Sequence, residues 1–365
     1  MDEREVWLAY AAAPGIGRTR LRALMSYFPS AAAAWAAPLE LLAVVPGLDA
    51  ARAAALVAAR ARPQGGAVLE QVLRLGGEMV LFLSPGYPPQ LTQIADPPPF
   101  FFRLGPAPLD GPAVAVVGSR KATAYGLARA GELAKDLAAA GVTVISGLAR
   151  GVDRYAHEGA LAAGGRTVAV LGSGIDMVYP PEHQRLFAAM CETGAIVSEY
   201  PPGTKPEPWR FPERNRLISG LSLGTVVVEA GDKSGALNTV KHALDQNREV
   251  MALPGSANSP LSRGPHRLIQ EGAALVTCGA DVLACLRLGA PAGPGAALDP
   301  DALPQGRPLS PDEAEIYAWL SSGELHVDDL AAGTGLPAHR VLAAISLLEL
   351  KGLARTGPGG QVMRT

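Results

Sequence analysis

The chain has 365 residues, of which 48% are hydrophobic and only 18% are charged, and this composition excludes an intrinsically disordered protein. A formal net charge of −2 excludes a global basic field, so any nucleic-acid site must be local. No apolar run reaches the roughly 18 residues that span a bilayer, and the first residues lack the order of a signal peptide. We therefore expect a cytoplasmic protein with no membrane partner.

Residues 1–95 are rich in Ala and Leu with helical periodicity, and they predict an all-helical domain. Two Pro-Gly turns, at 13–17 and 45–49, each separate two helical segments and resemble helix-hairpin-helix units. The first turn precedes Arg18, Arg20 and Arg22, which suits a phosphate at a helix N-terminus, whereas the second carries Asp49. For the pair we favour helical packing over DNA contact, and DNA contact stays open.

Residues 96–287 alternate short apolar runs with amphipathic segments. Strand, helix and strand at this spacing predict an α/β fold with a doubly wound, mostly parallel sheet, which binds ligands at the carboxyl ends of its strands. The predicted strands are 114–117, 142–145, 168–171, 195–197, 226–228 and 250–253.

Residues 288–308 have the Gly, Pro and Ala composition of a linker, and residues 309–365 predict a C-terminal winged helix. Its helices are expected at 311–321, 327–332 and 338–351, followed by a β-hairpin. The third helix offers few side chains that read bases, and Asp328 and Asp329 precede it. A protein-contact or regulatory role is at least as well supported as DNA binding.

Most catalytic motifs of doubly wound proteins are missing from the sequence. There is no G-x-x-x-x-G-K-[ST] phosphate loop and no G-x-S-x-G nucleophile elbow, and Met177 stands where a dinucleotide-binding loop has its third glycine. The three cysteines form no CxxC pair. We therefore predict no catalytic residue, no cofactor and no metal.

Three predicted strands end in loops that combine glycine with serine, arginine or lysine. These loops and the segment 205–216 should meet at one edge of the sheet and form a local basic pocket. The first loop is the best candidate for holding a phosphate, through its hydroxyl and guanidinium groups. We expect Ser234 in the third loop to cap the helix that follows. The predicted DNA-binding residues are Gly118, Ser119 and Arg120 in the first loop, Gly147 and Arg150 in the second, and Lys233, Ser234 and Gly235 in the third.

Residues 205–216 interleave basic and aromatic side chains. If Pro212 occupies the first helical position, the arginines after it fall in the first turns and oppose the helix dipole, which indicates an anion supplied from outside. Phe211 and Trp209 are suited to stacking on bases, as in single-strand binders. From this segment we predict DNA contacts by Lys205, Arg210, Phe211, Arg214, Asn215 and Arg216.

Seven motifs in order closely resemble the DNA-processing protein A (DprA) family, over about residues 85–285. The departures are Ala236–Val240 and His266, where the family usually has other residues. The motifs are VGSR (117–120), SGLARGVD (146–153), AHEGAL (156–161), LGSGIDMVYP (171–180), SEYPPGT (198–204), FPERNRLISGLS (211–222) and VEAGDKSG (228–235).

The resemblance implies an extended Rossmann-like core between an N-terminal helical, SAM-like domain and a C-terminal winged helix. It also implies binding and protection of single-stranded DNA, and help in loading a RecA-type recombinase during natural transformation and recombination. No enzymatic activity is implied. The expected partners are single-stranded DNA, the recombinase and a second copy of the chain in a homodimer formed through the core.

Two other functions remain as alternatives. One is a nucleotide-processing enzyme similar to nucleoside-monophosphate phosphoribohydrolases, which the chain resembles around Gly224, Thr225 and Glu229. In those enzymes two residues separate the Gly-Thr pair from the catalytic Glu, whereas three residues separate the pair from Glu229 here. Because successive side chains of a strand point to opposite faces, Glu229 would point elsewhere. The other is a structural adaptor, which the absence of any mobility shift with a single-stranded oligonucleotide would favour.

Overall fold

The computed structural model describes residues 2–61, 65–82, 84–288, 309–320, 323, 325–350, 353–357 and 360–364. The chain divides into two compact units, Met1–Pro291 and Ala292–Thr365. The predicted linker, 288–308, lies outside the described residues except for Leu288. The first unit contains both the N-terminal helices and the central sheet.

The N-terminal helices begin at side chains that accept hydrogen bonds from free backbone N–H groups. Asp2, Ser30 and Asp49 cap three of them in this way. Their apolar faces pack together around Trp7 and Tyr10, and also against β-strand residues such as Phe102. The helices are α1 (Glu3–Ala11), α2 (Arg18–Tyr27), α3 (Ala31–Ala36), α4 (Leu39–Ala43), α5 (Ala50–Ala59) and α6 (Gly65–Arg74).

A nine-stranded sheet forms the centre of the first unit, in the order β1-β2-β6-β5-β4-β3-β7-β8-β9. Strands β3 to β9 are parallel to one another, while β2 pairs antiparallel with β6 and β1 pairs antiparallel with β2 at the edge. The strands are β1 (Glu78–Leu81), β2 (Phe100–Leu104), β3 (Ala113–Val117), β4 (Thr143–Ser146), β5 (Thr167–Val170), β6 (Ala195–Ser198), β7 (Gly224–Val227), β8 (Glu249–Ala252) and β9 (Ala274–Leu275).

The prediction of helix throughout residues 1–95 was wrong at 78–81, which form β1 and pair with β2. The residues Met79, Val80 and Leu81 are all buried because both faces of the sheet are covered here. Met79 and Leu81 pack against the N-terminal helices, and Val80 packs against the layer on the opposite face. A short continuous apolar run is compatible with a buried strand as well as a helix. The six predicted core strands are confirmed to within two residues.

The central strands are apolar at every position because helices cover both faces of the sheet. Val114 and Val116 face one layer, and Ala115 and Val117 face the other. Helices α8, α9 and α14 cover the first face, and α7, α11, α12 and α13 cover the second. They are α7 (Pro89–Thr92), α8 (Ala124–Ala139), α9 (Val152–Ala162), α10 (Gln184–Thr193), α11 (Arg210–Gly220), α12 (Ala236–Asp245), α13 (Arg263–Gln270) and α14 (Gly279–Cys285).

The strand order reverses at β3. From β3 the chain adds β4, β5 and β6 on one side, and β7 then returns to the other side of β3. In an open parallel sheet, the crevice outside the carboxyl ends of the strands at such a reversal is where ligands bind. The loops that follow β3 and β7 flank this crevice.

The second unit is a small helical bundle with a three-stranded antiparallel sheet of order β10-β12-β11, the winged-helix arrangement predicted from sequence. Ser310 and Glu313 form a capping box that starts its first helix. Ile316, Leu330 and Val341 lie in its core. Its elements are α15 (Pro311–Trp319), β10 (Leu325–His326), α16 (Val327–Thr334), α17 (Ala338–Leu350), β11 (Ala354–Thr356) and β12 (Gln361–Arg364).

None of the helices in the described parts of the chain has the length and apolarity needed to cross a bilayer.

Candidate nucleic-acid interface

A cavity of about 710 Å³ lies at the reversal point of the sheet. It is lined by the loops after β3 and β7, the beginning of α11 and the beginning of α12, so it brings together segments far apart in the sequence. Among its lining residues are the predicted Gly118, Ser119, Arg120, Phe211, Arg214, Asn215, Lys233, Ser234 and Gly235.

The loop after β3 is fixed by backbone bonds on two sides. The Ser119 N–H donates to the carbonyl of Glu229 at 2.7 Å, and the Ser119 carbonyl accepts from Val152 N–H at 3.2 Å. A Cβ at Gly118 would lie 2.6 Å from the side chain of Val152, so glycine is required there for packing. Arg120 comes next in the chain, and its side chain is exposed. The two backbone bonds of Ser119 fix the position from which it extends.

An aromatic pair stands beside Arg120. The Phe211 ring lies 5.6 Å from the Tyr179 ring, with a tilt of 34° between the planes. The Arg120 guanidinium lies 5.3 Å from the centre of the Phe211 ring, which is a cation–π contact. Tyr179 is 39% exposed, so the pair offers a half-open aromatic surface next to a cation.

The loop after β4 lines a small niche that adjoins the cavity. Gly147, Arg150, Tyr179 and Phe211 border this niche together with Arg120. Arg150 is exposed and pairs with Glu182, and its hydrogen bond lowers the pKa of the Glu182 carboxyl to about 2. The predicted residue is therefore in place, with a carboxylate already bound to it.

Arg214 lies beneath the cavity and is only 4% exposed. Its Nη1 donates to the carbonyl of Gly147 at 3.0 Å and to that of Val170. Burial lowers the Arg214 pKa to about 10, opposed by the charge of nearby Asp153, so the guanidinium stays charged at neutral pH. Burial raises the pKa of the Asp153 carboxyl, and the Arg214 charge opposes that shift. Arg214 thus joins the floor of the cavity to the loop after β4.

Three cations at the cavity are exposed: Arg120, Lys121 and Lys233. Across the described residues none of the three forms an ion pair with a carboxylate. Beside Lys233, Gly235 has open space around it, and the Ser234 hydroxyl accepts from Ala236 N–H at 3.4 Å. Because these three cations are exposed and have no carboxylate partner, they favour the binding of an anion that the protein does not supply.

Three predicted contacts lie apart from the residues that line the cavity: Lys205, Arg210 and Arg216. Arg216 is 5% exposed and forms a buried ion pair with Glu199, so its position argues against a contact with DNA. Arg210 donates to the carbonyl of Lys205 and stacks over Tyr200. The inference of an external anion for Arg216 was wrong, because the protein supplies the anion.

Two local details of the prediction also change. Helix α11 begins at Arg210, so Pro212 is its third residue and not its first. Helix α12 has Gly235 as its N-cap, so Ser234, the predicted cap, stands one position before the observed one. Neither change removes Asn215 or Ser234 from the cavity.

Sequence reasoning missed five polar residues that line the cavity, which are Lys121, Asp153, Tyr179, Asn238 and Thr239. Lys121 directly follows Arg120, so the strand-end position that identified Arg120 could have identified it too. Tyr179 follows a glycine-rich loop after β5. Asn238 donates to the Pro212 carbonyl at 3.1 Å and links α12 to α11, a contact that no local pattern reveals.

The N-terminal hairpins border a second cavity, of about 780 Å³, lined by Arg18, Arg20 and Arg22. All three arginines are bound by the protein. Arg20 donates to the carbonyls of Gly47 at 2.9 Å and Gly15 at 3.1 Å, and so ties the two hairpins together. Arg18 and Arg22 both contact Asp96. These contacts agree with the role in helical packing that the sequence analysis favoured over DNA contact.

Glu229, the carboxylate of the enzymatic alternative, is 4% exposed. It accepts hydrogen bonds from the Thr123 N–H at 2.8 Å and the Thr123 hydroxyl at 2.7 Å, at the start of α8. Both oxygens therefore stabilise a helix N-terminus, and Glu229 is absent from the cavity lining. In the described residues no group of His, Cys, Asp and Glu is arranged to hold a metal ion.

Comparison with known proteins places this architecture in a family. Residues 78–287 match the model for DNA recombination-mediator protein A, and residues 300–360 match the DprA winged helix domain. The chain belongs to the DprA family. It is 42% identical to Protein Smf of Escherichia coli over 285 residues, which are 76% of this chain and 74% of that protein.

Two solved DprA structures resemble the fold. DprA from Streptococcus pneumoniae superposes with a TM-score of 0.69 at 34% identity, covering 78% of this chain and 98% of that one. DNA processing protein A from Helicobacter pylori, described for its single-stranded DNA binding mode, gives a TM-score of 0.52 at 27% identity, covering 58% and 95% of the two chains.

The two departures from the DprA pattern lie in different places. Ala236, Asn238 and Thr239 line the cavity, so the first departure changes its wall. His266 bonds to the backbone of Gly255, with its Nε2 at 3.0 Å from the Gly255 carbonyl, and is not among the lining residues.

Proposed function

We propose that this chain binds and protects single-stranded DNA in the strand-end cavity and helps load a RecA-type recombinase onto it in natural transformation and recombination. The observation that carries the proposal is the set of three exposed, unpaired cations, Arg120, Lys121 and Lys233, beside the Tyr179–Phe211 pair. Cations hold the phosphate backbone and aromatic rings stack on bases, the two elements of a sequence-tolerant single-strand site.

Single strands should bind better than duplex because only an unpaired base is free to enter the cavity and stack. The experiment is fluorescence anisotropy of the full chain with oligothymidine, with a mixed-sequence single strand and with a duplex of equal length. We expect similar affinities for the two single strands and weaker binding of the duplex. Equal affinity for the duplex would contradict the proposal.

The loading function and the homodimer formed through the core are further parts of the proposal. They rest on membership of the family and not on a surface in this chain. A direct test adds the protein to a RecA-type recombinase and an oligonucleotide coated with single-strand-binding protein. Faster recombinase filament formation is expected, and no acceleration at saturating protein would contradict the loading function.

The cavity acts by binding and not by catalysis in this proposal. Glu229, the carboxylate that the enzymatic alternative needs, is occupied by both donors of Thr123. Incubation with adenosine monophosphate should release no free base. Release that depends on Glu229 would overturn this part of the proposal.

A further inference from the structure

The loop after β4 contains a residue in an unusual backbone conformation. Leu148 has φ of 54°, in the left-handed region that non-glycine residues rarely adopt, and its side chain is fully buried. Such a conformation persists only where the surrounding structure fixes it. The loop carries Ala149 into the wall of the cavity and Arg150 into the adjoining niche.

One fixing contact comes from His157 on α9. Its Nε2 accepts a hydrogen bond from the Leu148 N–H at 3.3 Å. Its Nδ1 lies 2.6 Å from the Thr167 hydroxyl, which donates its own hydrogen to the Val144 carbonyl. Nδ1 must therefore carry the hydrogen, and Nε2 is left as an acceptor.

His157 keeps this form across the ordinary pH range. Burial, together with the neighbouring His183 and the charge of Arg214, lowers its pKa to about 3. A neutral imidazole with Nδ1 protonated is the form that accepts from Leu148.

The second fixing contact comes from His183, which is 3% exposed. Its Nδ1 lies 3.0 Å from the Leu148 carbonyl and donates to it. Both backbone groups of Leu148 are thus bound by histidines from two different elements. On either side, the Gly147 and Ala149 N–H groups donate to the Asp153 carboxylate at 3.1 and 3.3 Å.

This loop also supports the loop after β3. A Cβ at Gly151 would lie 2.2 Å from the Ser119 carbonyl, and that carbonyl accepts from the Val152 N–H. A displacement of residues 147–151 therefore displaces Ser119 and the adjacent Arg120.

We infer that His157 and His183 are positioning residues of the single-strand site, because together they hold Leu148 in the left-handed conformation and so align Arg150 with Arg120. The inference rests on the proposed function. Neither histidine touches the cavity, so they act through the backbone of the loop.

The test compares two pairs of variants in the full chain. His157→Phe and His183→Phe fill the space but remove the bonds to Leu148. His157→Gln keeps an acceptor near Nε2, and His183→Asn keeps a donor near Nδ1. Tyr87→Phe is the matched control, since it removes a buried hydroxyl that donates to the Pro98 carbonyl at 2.8 Å, and neither residue lines the cavity or the niche.

Two measurements are made, and the first needs no DNA. Hydrogen exchange of the amides of residues 147–150 should accelerate in His157→Phe and His183→Phe and not in Tyr87→Phe. Oligothymidine affinity in about 0.15 M salt should fall by up to about fourfold, equivalent to the misplaced phosphate contact of Arg120, and the Gln and Asn variants should recover most of it.

The outcomes separate the inference from the proposed function. If the natural chain does not bind oligothymidine, the proposed function fails, while the exchange data still test the contacts to Leu148. If it binds, and His157→Phe and His183→Phe bind with unchanged affinity and salt dependence, the positioning role is overturned. Unchanged exchange in both of these variants also overturns it. Should one of them not fold, the other histidine supplies the same test.

Discussion

The strand-end cavity and the N-terminal hairpins are built from the same residue types and use them in opposite ways. Each combines glycine turns with several cationic side chains beside a cavity. In the hairpins the guanidinium groups of Arg18, Arg20 and Arg22 are bound by Asp96 or by backbone carbonyls. In the strand-end cavity Arg120 and Lys233 remain exposed without a carboxylate partner in the described residues.

The comparison teaches that the local sequence of a glycine and arginine loop does not determine its function. The deciding factor is whether the protein's own acceptors lie within reach of the cation. Where they do, the arginine stabilises packing, and where they do not, it is available to a phosphate.

The largest effect is expected when the three free cations are removed together. The variant Arg120→Ala/Lys121→Ala/Lys233→Ala should bind oligothymidine about 50-fold more weakly in about 0.15 M salt, since each lost phosphate contact costs about fourfold. Its melting temperature should be unchanged, because none of the three is bound in an ion pair within the described chain. A loss below about fivefold would show that the DNA lies elsewhere.

A smaller loss is expected from the aromatic side of the cavity. Phe211→Leu should weaken oligothymidine binding by about tenfold, within the usual range for a base stacked on an aromatic ring. The slope of log K against log salt should stay the same because no cation is removed. A changed slope would mean that Phe211 acts mainly by holding Arg120, whose guanidinium lies 5.3 Å above its ring.

Glu182 offers a way to convert a bound arginine into a free one. Its carboxylate occupies Arg150, and Glu182→Gln should release that guanidinium. We expect binding of oligothymidine to tighten by up to about fourfold in about 0.15 M salt, with a slope steeper by about 0.7. Weaker binding would show that the ion pair is needed to place Arg150.

The hairpins should respond in the opposite way. Arg20→Ala removes two hydrogen bonds that join the hairpins and should lower the free energy of unfolding by about 1 kcal/mol. Oligothymidine affinity and its salt dependence should not change, as measured by anisotropy beside a denaturant titration. A slope lower by about 0.7 would instead make the hairpins a DNA contact.

The sequence predicts much of the fold because hydrophobic periodicity reports burial directly. The continuous apolar run at 114–117 is covered by helices on both faces, and the strand β3 follows from it. Residues 78–81 escaped because a four-residue apolar run beside helices does not distinguish strand from helix. The carboxyl-end rule likewise predicts that the loops after β3, β4 and β7 meet.

The sequence could not predict which carboxylate, if any, pairs with each arginine. Arg216 meets Glu199 across 17 residues of sequence, and Arg18 meets Asp96 across 78. Such pairs depend on how separate elements pack, which no local pattern records. The helix-dipole argument identified an anion beside Arg216 but could not tell a carboxylate of the protein from a phosphate.

The most direct test of the account is the salt dependence of oligothymidine binding by Arg120→Ala, with Arg154→Ala as the matched control. Arg154 is an exposed arginine paired with Glu158, away from the cavity lining. The account predicts that the slope of log K against log salt falls by about 0.7 for Arg120→Ala alone, with an unchanged melting temperature. An unchanged slope with a lowered melting temperature would contradict it, since Arg120 would then be a structural arginine.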